Sequence, residues 1–148
     1  MIDAAKIKTL REQTGISFAQ CKEALEFSGG EMEGALSWLK EKGATIAQKK
    51  SDRELGAGTV SAYIHQGVIG TLVELRSETD FVSKNPDFKA LADDLAMHVA
   101  ATDPADVAAL MAEPFIKDPA LTIEQVIQGA GQKFGERVEL SRFSRLAL

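Results

Sequence analysis

Only one cysteine, Cys21, occurs in the 148 residues, so no disulfide can close within the chain and a reducing compartment suits it. Basic residues are outnumbered, 17 Lys and Arg against 22 Asp and Glu, for a net charge of −5. Binding to nucleic acid in general wants a basic surface that neutralises phosphates, so no direct nucleic-acid partner is expected. No apolar run is long enough to span a membrane. The opening Met1-Ile2-Asp3 runs straight into a helical pattern, without the basic and apolar segments of a signal peptide. These absences point to a cytoplasmic chain, and an organelle matrix fits as well if a targeting segment has been removed.

Reactive constellations are also scarce. The two histidines, His65 and His98, stand alone in sequence, whereas a metal site or a His-based catalytic group needs companions. Gly29-Gly30 and Gly56-Ala57-Gly58 lack the strand–loop–helix setting and the Lys-Ser/Thr ending of a phosphate loop. No Gly-x-Ser-x-Gly elbow occurs. Asp93 and Asp94 are adjacent, so their side chains diverge from any shared site. No enzymatic activity, cofactor or metal ion is expected. A small enzyme built on Glu78, Asp80 and His98 stands as an alternative to the favoured interaction protein.

What is present is enough apolar residue, 45% of the chain, for a real core in one domain with a small appendage. Residues 1–46 read as three short helices forming a partner-docking module. Asp3 and Ser17 are N-cap types; Gly15 and Gly43 are the residues that end helices cheaply. Ala4, Ile7 and Leu10 share a face in the first helix, as do Phe18, Cys21, Ala24 and Leu25 in the second. The third carries Met32, Ala35, Leu36, Trp38 and Leu39, and the small core is expected around Trp38. Cys21 on the apolar face reads as packing. Residues 47–58 are a mixed-charge linker. Residues 59–148 form an α+β core. A hairpin over 59–76 turns at Gln66-Gly67, and its second strand, apolar on both faces, is expected to be central. A helix starts at Asn85-Pro86, a short helix runs to Met111, and 113–119 is irregular. Thr122 with Gln125 makes a capping box for a helix through Phe134. A closing strand with a bulge near Ser141-Arg142 completes a three-stranded antiparallel sheet with helices on one face. Its open edges invite pairing with a second copy.

One stretch stands out, Glu78-Thr79-Asp80-Phe81-Val82, at the junction of strand and helix. Phe88, Leu91, Ala92, Leu95 and Val99 follow helical spacing toward the core, and Phe81 has no place in that stripe. It is either core, as Phe commonly is, or an anchor aimed at a partner.

These residues resemble a known family. Thr14-Gly15, Cys21-Lys22-Glu23-Ala24-Leu25, Ala35 to Leu39, Lys42-Gly43-Ala44 and Lys49-Lys50 are similar to the N-terminal module, ubiquitin-associated-like in fold, of translation elongation factor Ts. Leu72-Val73-Glu74-Leu75 with Glu78-Thr79-Asp80-Phe81-Val82 looks like that family's most specific signature. Gly135-Glu136-Arg137-Val138 and Arg142-Phe143-Ser144-Arg145 resemble its closing strand. The resemblance implies a guanine-nucleotide exchange factor that binds elongation factor Tu, GDP-bound and nucleotide-free, and speeds GDP release during translation. It implies that Thr79, Asp80, Phe81 and Val82 form the exchange site, with Phe81 as a wedge near the partner's magnesium site. It also implies that Phe18, Ala19, Cys21 and Lys22 dock the N-terminal module. Ile16-Ser17-Phe18-Ala19 departs from the small residues and methionines usual there. The single core subdomain matches short members of the family, and a homodimer is expected. The alternative is a ubiquitin-associated-like docking or scaffold protein without exchange activity.

Overall fold

Residues 2–148 are described by a computed structural model. Three helices come first: α1 (Ala4–Thr14), α2 (Phe18–Phe27) and α3 (Met32–Lys49). Their boundaries follow from local chemistry. The Asp3 side chain accepts from the Ala5 amide, the Ser17 side chain from the Gln20 amide, and Gly15 ends α1 at φ 71°. Ile7, Leu10, Ile16, Cys21, Ala24, Leu25, Ala35 and Leu39 pack into one small core. Trp38 is not its centre. It lies half-buried at the rim, 6.2 Å from the Phe27 ring, with Lys42 Nζ 5.5 Å above its face.

Gly43 does not stop α3, which continues to Lys49. The glycine is buried because another helix passes there: a Cβ at this position would sit 2.8 Å from Gln132 Oε1. Gln132 Nε2 donates to Gln20 Oε1 at 2.8 Å. The N-terminal helices therefore rest directly on the core through α7 (Ile123–Phe134). The connection after Lys49 is short, since β1 (Ala57–His65) begins the sheet.

The sheet order is β1–β2–β5, antiparallel throughout, with β2 (Ile69–Ser77) central and β5 (Glu139–Ala147) last. Gln66 and Gly67, both at positive φ, make the hairpin turn. The register slips between Glu74 and Leu75, which face Arg142 and Leu140, so Ser141 is the extra residue of a bulge. One face takes α5 (Pro86–Thr102), with Val73, Leu75, Phe88, Leu95, Val99, Leu110, Ile123 and Leu140 in the core. The inward residues of β1 include Ser61 and Tyr63, while Val60, Ala62 and Ile64 point outward. α5 supplies the partners for such inward hydroxyls: Ser61 of β1 donates to Asp93, and Thr71 of β2 donates to the Ala96 carbonyl at 2.8 Å. Buried hydroxyls with partners cost little.

Three elements exceed the expected order. A single helical turn, α4 (Asp80–Ser83), precedes α5. After α6 (Val107–Ala112), the segment expected to be irregular forms a small hairpin, β3 (Pro114–Phe115) with β4 (Asp118–Thr122). His98 holds it. This fully buried ring accepts at Nδ1 from the Ile116 amide (3.3 Å), so the proton is on Nε2, which donates to Glu113 (2.9 Å).

On the outer face, Glu74 is gripped by Arg76 (3.2 and 3.4 Å) and Arg142 (3.4 Å). The hydrogen bonds from Arg76 pull its carboxyl below the ordinary 4.5; partial loss of solvent opposes this, and the Arg142 charge adds to the lowering. A depressed native value contributes stability above the ordinary carboxylate range, lost as pH falls through that native value. Urea unfolding of Glu74→Gln should accordingly show a shallower acid dependence than the native chain, with the curves converging below the native value.

Candidate functional site

The signature stretch begins as β2 leaves the sheet. Ser77 is buried, and its hydroxyl donates to the Thr79 carbonyl at 3.0 Å. The chain then turns into α4, closed by Ser83 N–H to the Thr79 carbonyl (3.2 Å) and Lys84 N–H to the Asp80 carbonyl (3.0 Å). Asn85 caps α5, accepting from the Asp87 amide at 2.8 Å, with Pro86 at its first position. These bonds leave the loop little freedom.

Within it the side chains divide. Val82 is buried in the core and Phe81 is 92% exposed. Phe81 is thus an aromatic ring held out into solvent on a backbone pinned by its neighbour. Singly exposed apolar residues are common on protein surfaces, and Phe27 is itself 74% exposed; Phe81 differs in being the most exposed phenylalanine and in standing on a hydrogen-bonded turn. Asp80 is exposed in the first turn of α4 and Thr79 is exposed beside it. Of the four expected exchange residues, three face outward and the fourth, Val82, anchors the turn.

The N-terminal set divides the same way. Phe18, half exposed, opens α2. Ala19 and Lys22 are exposed, Lys22 lying 4.0 Å from Glu26. Cys21 is fully buried, its Sγ donating to the Ile16 carbonyl at 3.6 Å, and burial pushes the thiol pKa up. It is a packing residue and cannot meet a partner in this conformation. Phe18 borders an open groove with Ala4, Lys8, Arg11, Glu12 and Ile16.

The turns that carry Phe18 and Phe81 both meet the end of α7. Lys133 lies against Gly15, where a Cβ would approach its Cε to 2.8 Å, and its Nζ reaches Asp87 of α5 at 3.0 Å. Three residues on, Glu136 binds the signature loop. Its Oε1 accepts from the amides of Glu78 (3.1 Å) and Thr79 (2.9 Å), and its Oε2 from the Thr79 hydroxyl (2.6 Å). Sequence reading passed over Glu136, because its partners lie 57 and 58 positions away. The one signal was the Gly135-Glu136 pair after a helix end, read only as the start of a strand.

No cluster of three or more His, Cys, Asp or Glu that could hold a metal ion occurs among the described residues. No helix there is long and apolar enough to cross a membrane.

Comparison with known proteins bears on the same stretch. The family model described as Elongation factor TS matches residues 78–148, from the signature loop through β5. The Elongation factor Ts of a Synechococcus species (strain JA-3-3Ab) is 37% identical over 194 aligned residues, covering 99% of this chain and 69% of the relative. That of Heliobacterium modesticaldum is 36% identical over 194, covering 100% and 90%. That of Thermodesulfovibrio yellowstonii is 34% identical over 188, covering 97% and 94%. These alignments exceed the 148 residues of the chain, so each relative carries residues within the matched span that this chain lacks.

Proposed function

Because the chain belongs to the elongation factor Ts family and is therefore a translation elongation factor, we propose that it acts as the guanine-nucleotide exchange factor of elongation factor Tu. The supporting observation is Phe81, 92% exposed on a pinned helical turn. In this reading the ring enters the partner's nucleotide domain beside its magnesium site, and Asp80 and Thr79 hydrogen-bond the partner around it. Phe18, Ala19 and Lys22 on the N-terminal module, ubiquitin-associated-like in this reading, dock on the same domain. The chain supplies no covalent chemistry. It speeds release because the wedge contacts exist only in the open, nucleotide-poor state, and only such differential contacts shift an equilibrium. Linkage makes the effect reciprocal: bound GDP weakens the factor's hold by the same factor. The cytoplasm follows as its location.

The test is release of fluorescent GDP from elongation factor Tu, followed by stopped flow over a series of concentrations of this chain. A saturable acceleration is expected. A rate equal to spontaneous release at every concentration would leave a docking protein without exchange activity.

The outer face of the sheet supports a second reading, a homodimer. Val60 (64% exposed), Ile64 (66%) and Leu72 (50%) lie there with Leu146, and no helix covers them. The pairings Ala62 with Leu72, Gly70 with Leu146 and Ile64 with Gly70 make this one continuous patch. A face rather than an edge is then the interface, two sheets stacking around a two-fold axis.

A further inference from the structure

We propose that Glu136 is a positioning residue for nucleotide release: its carboxylate sets the start of α4 and so the direction in which Phe81 is presented. The inference rests on the reading of Phe81 as the wedge. A four-residue helix does not hold itself, since one turn fixes many dihedrals for few hydrogen bonds. α4 also lacks a side-chain cap of its own: Thr79, the N-cap by position, makes none. Its hydroxyl is bonded to Glu136 Oε2 instead, and Glu136 Oε1 takes the Glu78 and Thr79 amides.

The arrangement is reciprocal. Glu78 Oε2 accepts from the Arg137 amide at 2.6 Å, so each of the two segments offers a carboxylate to a backbone amide of the other. Arg53 joins from the connection between α3 and β1, its guanidinium 3.5 Å from Glu78 Oε1, while the Arg137 guanidinium donates to the Arg53 carbonyl at 2.8 Å. None of these hydrogen bonds is made by Phe81 itself. They act on it through the backbone. An aromatic ring that must stabilise an opened partner gains by being ordered beforehand, because ordering at the moment of contact subtracts from the interaction. Hydrogen bonds to a carboxylate are the stronger kind for the task.

The test uses the full chain as native, Glu136→Ala, Glu136→Gln and Glu136→Asp, with two readouts: amide hydrogen exchange, and GDP release from elongation factor Tu. In Glu136→Ala, protection of the Glu78 and Thr79 amides should fall about tenfold or more, while Val73 and Leu75 in β2 keep theirs. The maximal release rate should fall about tenfold, and the half-saturating concentration should change by less than about threefold, since the N-terminal contacts persist. Glu136→Gln keeps one acceptor oxygen for the two amides and should restore most of both. If Glu136→Ala loosens β2 as well, Glu136→Asp carries the test: the charge remains but is one methylene short, and protection and rate should drop together. Native protection in Glu136→Ala or Glu136→Asp would overturn the clamp. Lost protection with a native maximal rate would overturn the positioning role. A native chain that fails to accelerate release overturns the exchange reading and the role with it, while the protection readout still reports whether the clamp exists.

Discussion

Phe81→Ala should slow the maximal release of GDP by about 30- to 1,000-fold, the range of an aromatic hot spot, while leaving the fold intact. The two halves of that expectation come from one fact. At 92% exposure the ring has almost no contacts of its own to lose, so the change in unfolding free energy stays within about 0.5 kcal/mol, as at other surface sites. Whatever function is lost is therefore lost from the complex. Val82→Ala is the contrasting neighbour: it removes core packing under the turn and should lower stability by about 1 kcal/mol or more. Thermal unfolding beside the release assay separates the two.

Leu72→Asp should turn the proposed dimer into a monomer, raising its dissociation constant by about 100-fold or more. Leu72 sits on the central strand, opposite Ala62 and Ser144, so it would lie in the middle of two stacked faces. A carboxylate there faces its own symmetry mate, and like charges in an interface cost several kcal/mol by general experience. In the monomer the same position is half exposed, and the substitution costs only strand preference, about 1 kcal/mol. Sedimentation velocity over a concentration series reads the outcome. A native chain that stays monomeric at high micromolar concentration would exclude the dimer outright.

How legible these features were in the sequence depends on the distance over which their causes act. Helix starts were readable because Asp3, Ser17, Asn85 and Thr122 cap amides two or three residues away. The central strand and the bulge at Ser141 were readable from periodicity. Gly43 misled because a glycine can end a helix or let another helix approach, and only the position of Gln132 decides. The faces of β1 could not be assigned from residue types, since Ser61 turns inward for a partner on α5 that lies 32 residues on. Phe81 was ambiguous for the same reason. Whether a phenylalanine beside a buried valine is core or anchor depends on where the turn of α4 points, and that is set by Glu136 from the far end of the chain. The site was legible as a motif; its support was not.

The wedge claim is tested most directly by affinity in two states of the partner. Titration calorimetry would measure the native chain and Phe81→Ala against nucleotide-free and GDP-bound elongation factor Tu. A wedge that acts only in the open state predicts a loss of about 100-fold against the nucleotide-free form and no more than about threefold against the GDP-bound form. Equal losses in both states would contradict it, because contacts made equally before and after opening cannot drive GDP out.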